Sequence, residues 1–238
     1  DIEGAIEYLE SYVFKEGGNG QVYHFLGQLY SRNNQIDKAA GAYRKAVDVA
    51  PQQIGSYVNL ARLYAEQGEG KEAEAAYLEA ANKNPSSVLI RGALAQHYQA
   101  LGKYDEALSA LEEAYALDNE AAVISNNLAS LLIEHFPTSE NLERAQQLTR
   151  GYESSQVPSQ LDTLGWLQFR LGNLPQAISL LEAAQAKGGQ GPDYWYHLGM
   201  AYHANGQNEL AREQLTRLAE SEADHFGKAE GARVLSTL

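Results

Sequence analysis

Apolar residues recur along the chain at helical spacing, and small residues stand at fixed places within that pattern. Leu26, Leu60, Leu94, Leu128, Leu164 and Leu198 are each followed by Gly or Ala: Gly27, Ala61, Ala95, Ala129, Gly165 and Gly199. Successive members lie 34 residues apart, except for one interval of 36 between Ala129 and Gly165. Tyr30, Tyr64, Tyr98 and Tyr202 follow the small residue by three positions, which puts Leu and Tyr on one face of a helix. A second series begins with Ala39, Ala73, Ala107, Ala145, Ala177 and Ala211. Tyr43, Tyr77, Leu111, Leu181 or Leu215 follows four residues later in all but the fourth case. Small residues at both positions let two helix backbones approach, while the large ones fill the space between neighbouring pairs. Asn34, Gly68, Gly102, Gly172 and Gly206 stand between the two series and predict left-handed helix endings. Pro51 and Pro85 close the first two full units.

A 34-residue helix–turn–helix period with this order of aromatic, Leu-small, Tyr, Ala, aromatic, Ala and Pro resembles the tetratricopeptide repeat. The resemblance implies an all-α, right-handed superhelical solenoid of antiparallel helix pairs. Residues 20–53 and 54–87 match it most completely, and 88–121 carries Asn119 where Pro is usual. Residues 158–191 and 192–225 replace the second aromatic with Leu181 and Leu215, and 122–157 is a divergent repeat whose turn around Phe136–Ser139 is about four residues longer. Residues 1–19 fit the second helix of a truncated repeat, and 226–238 reads either as a capping helix or as the start of a further repeat.

Charge and composition narrow the function. The chain has 238 residues, 44% of them hydrophobic, which is enough for a continuous core. Its 31 acidic residues against 18 basic ones, a net charge of −13, disfavour nucleic acid and anionic membranes and favour neutral or basic partners. No apolar run approaches the roughly 20 residues that span a bilayer, and no signal-peptide pattern is present. Cysteine is absent, which excludes disulfides and thiolate chemistry but leaves both cytoplasm and bacterial periplasm open.

Catalytic readings find little support. Gly68-Glu69-Gly70-Lys71 lacks the spacing and preceding strand of a phosphate loop, and Gly68 already has a place in the repeat turn. His197 and His203 are six apart, which separates them around a helix instead of converging them on a metal. There is no Gly-x-Ser-x-Gly elbow. The expectation is a non-enzymatic chain with no cofactor and no metal.

The resemblance also implies which residues face the groove lined by the first helix of each pair. They are His24, Gln28 and Arg32; Asn59, Arg62 and Glu66; Gly92, Ala93 and Gln96; and Asn126, Asn127 and Ser130. The last two units contribute Asp162, Thr163, Trp166, Phe169 and Arg170, then Tyr196, His197, Met200 and His203. Aromatic and Met residues anchor apolar side chains, and Asn and Gln can hold an extended backbone. Trp166 and Phe169 could equally be packed between neighbouring helices.

Members of the family that clamp a chaperone's C-terminal carboxylate use Lys, Asn and Arg at places here held by His24, Gln28, Asn59, Leu89 and Ala93. Only Asn59 agrees, and without the cations a carboxylate clamp is disfavoured. The expected function is therefore a scaffold that binds a peptide or protein in its groove. The alternatives are self-association through an open end and an accessory region of a larger envelope or export machine. Asn127–Leu132 and Asp162–Trp166 are similar to bacterial envelope lipoproteins of exopolysaccharide export, which fits the last of these.

Overall fold

The computed structural model describes residues 1–238 and is entirely helical. The fold divides into two compact units, residues 1–121 and 122–238.

The first unit holds α1 (Ile2–Glu16), α2 (Gly20–Arg32), α3 (Ile36–Val49), α4 (Ile54–Glu66), α5 (Gly70–Lys83), α6 (Val88–Ala100) and α7 (Tyr104–Leu117). Helices α2 and α3, α4 and α5, and α6 and α7 pair tightly, and α2, α4 and α6 touch in turn to form one layer. The paired backbones come close because Ala39, Ala61, Ala73, Ala95 and Ala107 are 0% exposed. At Gly27 the approach is closer still, since a Cβ there would sit 2.5 Å from the Tyr43 ring.

Each first helix in this unit ends in the same way. Asn34, Gly68 and Gly102 take φ of 57°, 77° and 69°. The N–H groups of Gln35, Glu69 and Lys103 then reach back to the carbonyls of Tyr30, Tyr64 and Tyr98 at 2.8–2.9 Å, a Schellman closure. Successive pairs are tied by Asn84, whose side-chain N–H donates to the Pro51 carbonyl at 3.2 Å. Tyr30 and Tyr98 add further ties by donating to Glu10 and Glu74 of the preceding helix. Helix α1 packs on α2 but leaves Tyr8 70% and Phe14 90% exposed.

The second unit holds α8 (Ala122–His135), α9 (Ser139–Leu148), a 3₁₀ turn (Tyr152–Ser154), α10 (Pro158–Arg170), α11 (Leu174–Ala186), α12 (Pro192–Ala204), α13 (Asn208–Glu220) and α14 (Lys228–Leu235). Its pairs are α8 with α9, α10 with α11, and α12 with α13, and α8, α10 and α12 form the layer of first helices. Thr138 caps α9 by accepting the Asn141 N–H at 3.2 Å, so the longer turn between α8 and α9 ends in a defined helix start. Helix α14 lies on α13 and α12, and Val234 joins Leu215 and Leu218 in the core.

Candidate functional site

In the first unit, the residues expected to face a partner form a polar strip on α2, α4 and α6. His24 is half-buried and its Nδ1 lies 2.9 Å from the Ser56 hydroxyl, while its ring tilts against Tyr43 at 5.8 Å. Burial holds the His24 imidazole below its usual range, favouring the neutral form. Arg62 donates to the Asn59 carboxamide oxygen at 3.3 Å and pairs with Glu66 at 3.7 Å, both at the surface. Burial raises the Tyr43 phenol, and the charge of Arg62 and a bond with Asn59 partly offset this, so Tyr43 underlies the strip. Gln28 is half-buried beside it, and Gln96 is exposed further along on α6.

The second unit is built differently. Trp166 of α10 is 3% exposed and lies between Phe169, stacked at 4.5 Å and 6°, and His197 of α12, stacked at 4.4 Å and 16°. His197, 2% exposed, donates from Nδ1 to Asp162 Oδ2 at 2.8 Å, and its Nε2 points to Glu134 Oε1 of α8 at 3.9 Å. Ser130 donates to the same Glu134 oxygen at 2.8 Å. Burial alone would push the His197 imidazole down. The Asp162 charge and hydrogen bond, aided by Glu134 and Asp193, outweigh it and raise the value. Burial also raises the Glu134 carboxyl, against the pull of His197 and Ser130.

Five buried polar atoms in this unit lack a hydrogen-bond partner: Asn126 Oδ1, Asp162 Oδ1, Trp166 Nε1, His197 Nε2 and His203 Nδ1. Leaving such a group unpaired costs on the order of 1–3 kcal/mol, so each departs from a fully satisfied core.

The segment between α13 and α14 packs against α12 and α8. His225 Nε2 donates to Asp193 Oδ1 at 2.8 Å, while His225 Nδ1 accepts the Gly227 N–H at 3.1 Å. Phe226 meets Tyr196 edge-on at 5.4 Å and His135 at 5.5 Å. Lys228 closes the loop by donating to the Ser221 carbonyl at 2.5 Å. Tyr196 donates to Glu230 of α14 at 2.6 Å, and burial together with that bond raises its phenol far above the usual range. The hydrogen bond from His225 holds the Asp193 carboxyl below its usual range, while its side chain remains largely exposed.

The expected groove residues of this unit therefore fall into two sets. Asn126, Trp166, Tyr196 and His197 are buried and packed. Asn127, Ser130, Phe169 and Met200 are half-buried, and Arg170 is exposed. Glu134, Asp193, His225 and Phe226 are the participants that sequence reasoning missed. Glu134 follows Ser130 by one helical turn, so extending that face would have found it. The His225–Asp193 contact spans 32 residues outside the repeat period and left no local signal.

The tetratricopeptide repeat pattern matches residues 26–88, 93–145 and 163–225. No curated protein matches the sequence. Among solved structures, the chain is similar to a tetratricopeptide repeat protein of Parabacteroides merdae, with 17% identity and a TM-score of 0.67 over 99% of this chain and 93% of that one. It is also similar to the pilF protein of Pseudomonas aeruginosa, with 18% identity and a TM-score of 0.63 over 90% and 96%. Yeast Tom70 aligns at 20% identity and a TM-score of 0.66 over 91% of this chain and 46% of its own. No helix of the chain is long and apolar enough to cross a membrane. With its repeat signature covering well over half of the sequence and both units built from paired helices, the chain belongs to the tetratricopeptide repeat family.

Proposed function

We propose that the chain is a non-catalytic scaffold that binds a peptide or partner protein on the faces formed by the first helices of its pairs. The observation that carries this reading is the strip of His24, Gln28, Asn59, Arg62 and Gln96. It offers donors and acceptors on rigid helices without the convergent acid, base and nucleophile that catalysis needs. Repeats of this family act as a class through protein contacts, and the net charge of −13 favours a neutral or basic partner. The test is affinity capture of the partner with the wild-type chain and with Asn59→Ala/Arg62→Glu. Loss of the captured partner in the variant supports the reading, and unchanged capture rejects the strip as its binding surface.

A second reading, self-association, is favoured by the exposed aromatic face of α1, where Tyr8, Tyr12 and Phe14 stand clear of the core. Sedimentation across a wide concentration range decides it, since a monomer throughout removes it.

A further inference from the structure

We infer that the first-helix face of residues 122–238 is a receptor for an extended segment carrying a basic side chain next to an aromatic one, and that the chain's own His225–Phe226 occupies it as an internal surrogate. The inference rests on the partner-binding reading above and assigns ligand chemistry to one face.

Three observations carry it. Glu134, Asp162, Asp193 and Glu230 converge on His197 and Tyr196, and Arg170 is the cation whose charge reaches Tyr196, so the face is acidic in balance. Beneath that face His197 Nε2, Asp162 Oδ1 and Trp166 Nε1 are more than nine-tenths buried and unpartnered, with Nε2 aimed at Glu134. Finally, the residues seated there show what the face accepts. His225 presents an N–H to Asp193, and Phe226, 45% exposed, rests an aromatic ring against Tyr196 and His135.

An Arg or Lys in place of His225 would bring a full charge, which Asp193 and Glu134 would bind more strongly than an imidazole. The surrogate is therefore chemically suited to the site yet weaker than an outside ligand, the condition for displacement. Its attachment is also spatially tight, because a Cβ on Gly227 would fall 2.5 Å from the Tyr196 ring.

That crowding supplies the test. Gly227→Ala drives a Cβ against the Tyr196 ring and so loosens the segment's seat without altering any charge on the face. Binding of end-blocked, fluorescently labelled Gly-Arg-Phe-Gly is measured by anisotropy on the wild-type and variant full chains, with Gly-Glu-Phe-Gly and Gly-Arg-Ala-Gly as comparison probes. The variant is expected to bind the Arg-Phe probe about tenfold more tightly than the wild type, and about tenfold more tightly than either comparison probe. Equal binding of the Arg-Phe and Glu-Phe probes, or no gain over the wild type, overturns the inference.

If circular dichroism shows Gly227→Ala unfolded, His225→Ala replaces it with the same expectations. In the wild type, saturating Arg-Phe probe should speed hydrogen exchange across Ser221–Gly227, and unchanged exchange at saturation overturns displacement. A partner captured through Asn59 and Arg62, with no probe bound here, removes this inference and leaves the scaffold reading in place.

Discussion

Gly27 shows how much one missing methyl group decides. The Tyr43 ring already lies where an alanine Cβ would go, and Tyr43 itself is buried, so Gly27→Ala forces a core ring to move. The expected loss is about 1–3 kcal/mol, read as a lowered melting temperature. Ala73→Leu is expected to act similarly for the same reason, because Ala73 has no exposed surface.

His197 supplies a residue-scale prediction of the opposite kind, one that depends on pH. Asp162, Glu134 and Asp193 face it, and its folded-state value is raised above 6.5. Its contribution is therefore fully present below pH 6.5 and is lost as the pH rises through the raised folded value. Glu134, also raised, acts in the same direction from 4.5 upward, and Asp193, lowered, stabilises only above the acid range. His24 and His135, both lowered by burial, contribute in the opposite sense, so calorimetry should show the wild type declining relative to His197→Gln from mildly acidic toward alkaline pH. A decline unchanged by the substitution would show that other groups cause it.

Helix endings are where the sequence was most legible. Asn34, Gly68, Gly102, Gly172 and Gly206, picked out by period and residue type alone, all take positive φ in the structure. Gly68→Ala should therefore cost about 1 kcal/mol or more, whereas Asn34→Gly should be close to neutral because its φ of 57° is one that glycine adopts freely. Paired thermal melts of these two variants check the assignment.

The Leu-small-Tyr and Ala registers were legible for the same reason: a period repeated six times reports packing that every pair must share. What the period could not reveal was the packing of a loop against Tyr196. Register places a residue on a helix face, but the contacts of His225 and Phe226 depend on a non-repeating loop that folds back onto α12 and α8. Trp166, which register leaves open between groove and packing, stacks on Phe169 and His197 and is 3% exposed.

At the scale of the whole molecule, a charge of −13 makes long-range attraction part of any encounter with a basic partner. Capture should weaken as salt rises from low ionic strength to about 0.5 M, where screening shortens to a few ångströms. Salt-independent capture would point to an apolar contact, such as the one offered by α1. The placement of the indole rings has a practical consequence as well. Both tryptophans, Trp166 and Trp195, belong to residues 122–238, while most of the tyrosines belong to residues 1–121. Emission excited at the red edge of the absorption band therefore comes from one half of the chain alone, and a spectrometer can ask which half senses an added ligand without any label being attached.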